Sequence, residues 1–387
     1  MTFSARTGWD LAANALAARL EAARAAGGLV ADLTESNPAR AGLRWPEETL
    51  AAALGGPGAA DYAPDPRGAL PARRAVAAYL RDRGHAVPEE RIVLTASTSE
   101  AYGFLLKLLC DPGDDVLVPA PAYPLLDLLA GLEGVAVRRY PLRYDGAWHV
   151  DLPALEEAIG PRTRAVLVVS PANPTGAVLS AEELRALDAR CAARGLALLS
   201  DEVFADAAPH AAPSALVAER CLAFHLSGLS KVCGLPQLKV GWLAATGPDA
   251  LVRAALDRLE VIADTYLSVS GPSQRALAAL LPAREAFLGP LRARLAQNRA
   301  ALLAHGAGAF DVLRSAGGWS AVLRIGQTVD EEALCLALLD DGVAVQPGFF
   351  FDFARSGYLV LSLLPQPQAF AEGVVRIARR LGALPPG

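Results

Sequence analysis

The amino-acid sequence predicts an α/β fold with a large, mostly parallel sheet and a smaller domain behind it. Short apolar runs alternate with helical stretches from about residue 70 to residue 227. Strands of a parallel sheet form such continuous apolar runs because both of their faces are buried. The 387 residues exceed one ordinary core, which predicts two domains. A hydrophobic fraction of 53% with 20% charged residues is typical of a well-packed globular chain.

The elements of the larger domain follow in order. Residues 9–26 are predicted as an amphipathic helix that ends at two glycines, and a short extended piece then breaks at Asn37-Pro38. The helix predicted at 180–195 opens with a capping box of Ser180 and Glu183. The other predicted helices are 69–84, 99–110 and 152–160, and the predicted strands are 91–95, 114–123, 135–142, 164–170, 196–201 and 221–227.

The end of the chain changes character after a long helical stretch at about 273–305. The short segments that follow are 319–325, 331–342, 343–348 and 358–364, and a last helix comes after them. They predict a smaller α/β domain that the N-terminal segment joins. The predicted division is an N-terminal segment of residues 1–45, a large domain of 46–275 and a small domain of 276–387.

Composition excludes several classes of partner. The formal net charge is −5, so no electrostatic attraction to nucleic acid or to an anionic membrane is expected. Five dispersed cysteines predict neither a disulfide framework nor a zinc cluster, and no metal site is expected. The chain shows no secretory signal and no apolar run of about 20 residues. The sequence therefore predicts a cytoplasmic protein.

Polar residues follow the predicted strands, where ligands of such sheets bind. They are Ser97, Thr98, Ser99, Tyr123, Asn173, Asp201 and Lys231. Hydroxyl residues before a helix can hold a phosphate, although simple capping of the helix is the alternative. Asp201 can pair with a protonated ring nitrogen, or cap the next turn. Small and apolar neighbours of Lys231 would lower the pKa of its amine, as a Schiff-base lysine requires.

Taken together, these segments resemble the aminotransferase class I and II family, the fold-type I pyridoxal-phosphate enzymes. The resemblance covers nearly the whole chain. Its motifs are YAPDPRGALPARRAVAAYL at 62–80, TSEAYGFLLKLLCDPGD at 98–114, PAYP at 121–124, SPANPTG at 170–176, SDEVF at 200–204 and SGLSKVCGLPQLKVGW at 227–242. It implies a three-layer α/β/α large domain with a smaller α/β C-terminal domain.

The resemblance also implies a role for each site residue, with pyridoxal 5'-phosphate as the cofactor. Lys231 would form the Schiff base and carry a proton, and Asp201 would keep the ring nitrogen protonated. Asn173 would donate to the ring's phenolate oxygen, and Tyr123 would stack on the ring. The residues around the phosphate would be Ser97, Thr98, Ser99, Ser230 and Lys239, joined by Tyr62 from a second copy of the chain. A homodimer with shared active sites is therefore expected.

Four positions depart from the family's pattern. Phe204 replaces a tyrosine beside the phenolate oxygen, Lys239 replaces an arginine and Ser36 replaces a glycine near the substrate. Val360 stands where the family has the arginine that grips the substrate's α-carboxylate, and valine cannot form that bidentate pair. Either Arg40 or Arg355 binds the carboxylate instead, or the acid group is held differently or absent.

Three functions follow from these residues. The leading one is an aminotransferase that moves an amino group between an amino acid and a 2-oxo acid. The second is another reaction of the same cofactor, such as a β-lyase or a biosynthetic cyclase, which Val360 favours. The third is a non-catalytic binding protein on the same fold, which the combination of Lys231, Asp201 and Asn173 disfavours.

Overall fold

A computed structural model describes residues 2–12, 14–56, 58, 60–306 and 308–382. Residue 13 of the predicted helix 9–26, residues 1, 57, 59 and 307, and the end of the predicted small domain at 383–387 lie outside these ranges. The strands β1–β14 are Ala31–Asp32, Ile92–Thr95, Asp115–Ala120, Ala136–Tyr144, Trp148–Val150, Thr163–Val169, Ala197–Asp201, Ala223–Gly228, Gly241–Thr246, Asp311–Val312, Ser320–Arg324, Val343–Ala344, Gln346–Pro347 and Tyr358–Ser362.

The helices alternate with these strands through most of the chain. Helices α1–α13 are Ala15–Ala25, Glu47–Leu54, Leu70–Asp82, Thr98–Leu109, Leu125–Glu133, Leu152–Ala158, Ala181–Arg194, Leu229–Val232, Asp249–Tyr266, Gly271–Leu280, Glu285–Gly306, Glu331–Asp340 and Pro367–Gly382. The capping box predicted at Ser180 and Glu183 is present at the start of α7.

The large sheet has eight strands in the order β2-β9-β8-β7-β6-β3-β4-β5. Strands β4, β3, β6, β7 and β8 are parallel to their neighbours in this series, whereas β9 and β5 run antiparallel. Buried residues of α4, α5 and α9 pack on one face of the sheet, and those of α7 pack on the other. The predicted α/β/α layering with a mostly parallel sheet is therefore confirmed.

A smaller antiparallel sheet, β10-β11-β14-β13, lies in the C-terminal part of the chain. The N-terminal segment contacts this part directly, because β1 pairs in parallel with β12 and α1 packs against α12. The smaller C-terminal α/β unit that the sequence predicts is thus present. The exact residue limits of the three predicted segments stay a prediction.

Several predicted elements differ from the structure. The helix predicted at 9–26 begins only at Ala15, because the Asn14 side chain accepts hydrogen bonds from the N–H groups of Leu16 and Ala17 and so caps the helix there. The long helical stretch predicted at about 273–305 consists of two helices, α10 and α11. Strand β9 and helix α9 were not among the predicted elements, since the last quoted motif ends at residue 242 and no element was predicted for 243–272.

Candidate active site

Asp201 lies at the carboxyl end of β7 with its carboxylate buried. The Tyr102 hydroxyl donates to Asp201 Oδ2 at 2.7 Å, and the Val203 N–H donates to Oδ1 at 3.1 Å. Burial raises the pKa of the Asp201 carboxyl, while these hydrogen bonds and the charge of Lys231 oppose that rise. The carboxylate is thus oriented from both of its oxygens.

Lys231 lies in α8, the single turn of helix that follows β8. Its Nζ lies 4.7 Å from the centre of the Trp319 ring and 5.6 Å from that of Phe204, and these two rings meet edge to face. Burial lowers the pKa of the Lys231 amine, and the charge of Asp201 raises it. Among the described residues, no hydrogen-bond or ion-pair partner holds this amine.

The hydroxyl-rich turn stands at the start of α4. The Ser97 hydroxyl caps the helix by accepting from the Glu100 N–H at 3.1 Å. In the part of the chain that the structure describes, the N–H groups of Thr98 and Ser99 donate to no protein acceptor. A Cβ on Gly241 would lie 3.0 Å from the Ser97 carbonyl carbon and 3.1 Å from the Thr98 nitrogen. Glycine at 241 therefore lets β9 pass close behind this turn.

Asn173 stands in the loop after β6, and its amide oxygen accepts from the Ser320 hydroxyl at 3.2 Å. The same loop is held to the connection between β10 and β11, since the Gly176 carbonyl accepts from the N–H groups of Ala316 and Gly317. A side chain at 176 would collide with Ser315, whose Oγ lies 1.9 Å from the position of a Cβ. These contacts bring Asn173 beside Trp319 and Ser320.

Tyr123 follows β3 and lies close to Asn173, because its N–H donates to the Asn173 carbonyl at 3.1 Å. Its ring is 55% exposed, and the ring centre lies 6.5 Å from that of Phe351. The loop that carries Tyr123 is also held in place by its neighbour Ala122, whose N–H donates to the Phe351 carbonyl. Contacts with the small sheet therefore position both Asn173 and Tyr123.

Other predicted site residues take no part in the contacts around Asp201, Lys231 and Asn173. Lys239 is exposed and has a left-handed backbone with φ of 51°, and Ser230 lies next to Lys231 without a hydrogen bond to another described residue. Tyr62 is 84% exposed. Ser36 and Arg355 are also exposed.

The position that departs most from the family pattern is closed. Val360 is 1% exposed on β14, opposite Val322, and packs with Leu313 and Phe351. Of its two predicted substitutes, Arg40 forms an ion pair with Glu35 at 2.8 Å, and no partner is recorded for Arg355 among the described residues. An apolar cluster thus surrounds Val360, the position at which the sequence comparison with the family led us to expect an arginine.

Two residues of this site were missing from the sequence-based set. Trp319 covers the Lys231 amine, and Tyr102 supports Asp201. The sequence did signal that Trp319 begins a strand of the small domain, but not that this strand faces Lys231. Tyr102 lies one turn into α4, on the helix that was predicted to hold the phosphate, and its distance from Asp201 in sequence hides the contact.

The family-level comparison agrees with this geometry. Residues 32–368 match the family model described as aminotransferase class I and II. The chain belongs to this family. As an aminotransferase, it transfers an amino group between an amino acid and a 2-oxo acid, and its family uses pyridoxal phosphate. The family and the fold predicted from the motifs are therefore confirmed.

Individual relatives of this aminotransferase support the same assignment. An alanine aminotransferase of Mycobacterium bovis is 31% identical over 386 residues, which cover 94% of this chain and 88% of the relative. The glutamate-pyruvate aminotransferase of Escherichia coli is 31% identical over 257 residues, which cover 65% of this chain and 63% of the relative.

Solved structures share the fold. An aspartate aminotransferase mutant of Thermus thermophilus has a TM-score of 0.83 and 26% identity, covering 98% of this aminotransferase and 100% of that chain. An aminotransferase of Escherichia coli has a TM-score of 0.88 at 24% identity, covering 99% and 98%. None of the helices in the described ranges combines the length and apolar character needed to cross a membrane.

Proposed function

We propose that this aminotransferase binds pyridoxal 5'-phosphate through Lys231 and Asp201 and uses it to exchange amino groups between an amino acid and a 2-oxo acid. The observation that carries the proposal is the pairing of a half-buried Lys231 amine, which has no hydrogen-bond partner among the described residues, with a buried, oriented Asp201 carboxylate beyond neighbouring strands of the sheet. A protein without turnover has no use for an amine whose burial opposes its charge.

The residues fit this cofactor group by group. The free N–H groups of Thr98 and Ser99 at the start of α4 suit a phosphate, and the predicted set of Ser97, Thr98, Ser99, Ser230 and Lys239 would surround it. Asn173 would donate from its amide nitrogen to the phenolate oxygen, since its amide oxygen already accepts from Ser320. Tyr123 would cover one ring face.

Bound pyridoxal phosphate supplies an aldehyde for amines and a ring that accepts electrons from a bond broken at the substrate's α-carbon. The chain's own residues do the rest. Asp201 would hold a proton at the ring nitrogen through its negative charge. The Lys231 Nζ, with its pKa lowered by burial, would take a proton from the substrate's α-carbon and give it to the cofactor's C4′, on the other side of the nitrogen. The rings of Trp319 and Phe204 lie over this amine and shield one side of it.

We further propose a homodimer in which Tyr62 of one copy reaches the phosphate of the other. Tyr62 is 84% exposed and borders a groove of about 410 Å³, which Tyr62, Leu267, Ser268 and Arg275 help to line. Apolar side chains such as Val261, Tyr266 and Leu267 are exposed near it on α9 and after it. A second copy would bury this surface. The cytoplasmic location stays a prediction from the cysteine pattern, and all five cysteines are free thiols.

The substrate's acid group needs a holder other than position 360. Arg355 is the better candidate of the two predicted residues, because Arg40 is already paired with Glu35. Arg355 follows Phe351 and Phe353 in the loop that packs beside Tyr123. A carboxylate held there would lie at the rim of the site and be more solvated than one bound by a buried arginine.

The proposed function is tested by following the cofactor's absorbance with single substrates. Apoprotein loaded with pyridoxal phosphate is mixed with L-alanine or L-glutamate, the donors that the names of the relatives suggest, and then with pyruvate or 2-oxoglutarate. We expect the donor to convert the absorbance to that of the amine form, and the 2-oxo acid to restore it. Release of pyruvate and ammonia without this reversible conversion would instead identify a lyase.

A further inference from the structure

We propose that Tyr102 is a positioning residue that acts on the cofactor's ring nitrogen through Asp201. This inference rests on the proposed function, because it concerns how Asp201 presents its carboxylate to that nitrogen. The direct observation is the 2.7 Å hydrogen bond from the Tyr102 hydroxyl to Asp201 Oδ2. That length is usual for an O–H···O hydrogen bond, and such a bond is stronger when the accepting oxygen is charged.

The position of Tyr102 makes this contact rigid. Tyr102 is 5% exposed and packs in the core between α4 and the large sheet. It stands four residues after Thr98 on α4, so the helix whose first turn faces the phosphate also carries the support for the ring nitrogen. One helix therefore sets the distance between the two ends of the cofactor site.

The Tyr102 hydroxyl can only donate its hydrogen bond to Asp201 and does not give up its proton. Burial and the charge of Asp201 raise the pKa of Tyr102 well above its usual value of 10, so the phenol stays protonated. The carboxylate accepts from Tyr102 at one oxygen and from the Val203 N–H at the other. Its plane is therefore fixed, and each oxygen keeps a second lone pair for the ring nitrogen.

The bond also keeps the carboxyl charged. Burial raises the pKa of Asp201 and so favours the neutral acid, and the hydrogen bond from Tyr102 is the largest of the opposing effects. Lys231 acts in the same sense as Tyr102, whereas the neighbouring Glu202 adds to the rise. A neutral Asp201 would hold the ring nitrogen's proton poorly, so Tyr102 supports the electron-accepting state of the ring.

The test is a double-mutant cycle on the affinity of the apoprotein for pyridoxal phosphate. Tyr102→Phe, which removes only the hydroxyl, is measured alone and in an Asp201→Asn background. We expect Tyr102→Phe alone to weaken binding about tenfold, the effect of losing a charged hydrogen bond. In the Asp201→Asn background we expect little further loss, because no charge remains for Tyr102 to act on.

A matched control is Tyr140→Phe. Tyr140 is 1% exposed, and its hydroxyl donates at 2.7 Å to the Leu167 carbonyl, away from Asp201. This variant loses an equally buried hydroxyl and should bind the cofactor as the wild type does. Equal losses from Tyr102→Phe in both backgrounds, or no loss in either, would overturn the proposal.

A second measurement tests the proposal even if the Tyr102→Phe variant does not fold. Replacing Tyr102 with 3-fluorotyrosine keeps the ring and the hydroxyl, and makes the hydroxyl a stronger donor. The ¹⁵N shift of cofactor labelled at its ring nitrogen should then move relative to the wild type. An unchanged shift would count against Tyr102, whereas wild-type apoprotein that fails to bind pyridoxal phosphate would refute the proposed function itself.

Discussion

Lys231 carries its amine in surroundings that oppose its charge. Burial lowers its pKa below the usual 10.5, and the charge of Asp201 works against this shift. The unfolded chain keeps the proton up to about pH 10.5, whereas the folded apoprotein gives it up at lower pH. Between the two pKa values the unfolded state therefore binds more protons, and the free energy of unfolding gains from this group as the pH rises.

Replacing Lys231 with methionine should abolish this contribution. Relative to Lys231→Met, wild-type apoprotein should gain stability in urea as the pH is raised from about 7 to about 10, because charge burial is relieved in the wild type alone. Lys239→Met, which removes an exposed amine, is the control. A difference between wild type and Lys231→Met that stays constant across this range would contradict the account.

Single residues of the site could be predicted where they directly follow a predicted strand. Asp201, Asn173 and Lys231 follow apolar runs, so their convergence could be expected from the geometry of parallel sheets alone. Trp319 and Tyr102 could not be found in this way. Each reaches the site from a different element, and only the packing of the small sheet and α4 brings its ring to Lys231 or Asp201.

At the scale of elements, two helices begin with the same chemistry but face different surroundings. Ser97 caps α4 and Ser180 caps α7, each by accepting from the N–H three residues on at 3.1 Å. In α7 the Glu183 side chain reaches back to the cap's own N–H. In α4 the Glu100 side chain instead accepts from the Ala96 N–H, one residue before the cap.

Ser97→Ala and Ser180→Ala separate capping from cofactor binding. Each should cost about 1 kcal/mol of stability in urea denaturation, since each removes one cap. Only Ser97→Ala should also weaken the binding of pyridoxal phosphate to the apoprotein, because its hydroxyl stands at the proposed phosphate turn. Equal affinities in the two variants would remove Ser97 from the phosphate site.

The bounds of an element were predicted well where the sequence contains both an N-terminal cap and a C-terminal glycine. Helix α7 has its capping box at Ser180 and a left-handed Gly195 at its end, and its bounds agree with the prediction. Helix α1 was drawn too long because apolar spacing continues upstream of its cap at Asn14. Strand β9 was missed because it runs antiparallel and follows β8 without an intervening long helix.

The whole molecule places its large and small sheets against each other at the site. From the C-terminal part, Trp319 and Ser320 contact Phe204 and Asn173, and Phe351 lies beside Tyr123. The small domain thus completes a site that the large sheet begins. The sequence predicted the two units, but it did not predict that both contribute side chains to the site. Tyr62, exposed on the outside, is the proposed contribution of a second copy.

Hybrid dimers test that contribution. Lys231→Ala lacks the amine and Tyr62→Ala lacks the proposed phosphate contact, so each homodimer should bind pyridoxal phosphate poorly. Refolding the two variants together in equal amounts should restore about a quarter of the sites, because one site of each hybrid then has both residues. No recovery beyond the separate variants would mean that Tyr62 serves its own chain or no site.

The central claim is that Lys231 is the residue that takes the cofactor, and covalent trapping tests it most directly. The chain has three lysines, Lys107, Lys231 and Lys239, so the assignment by peptide mass is unambiguous. After loading with pyridoxal phosphate, borohydride reduction and digestion, we expect the phosphopyridoxyl mass on the peptide that contains Lys231. The mass on Lys107 or Lys239, with the Lys231 peptide unmodified, would contradict the account.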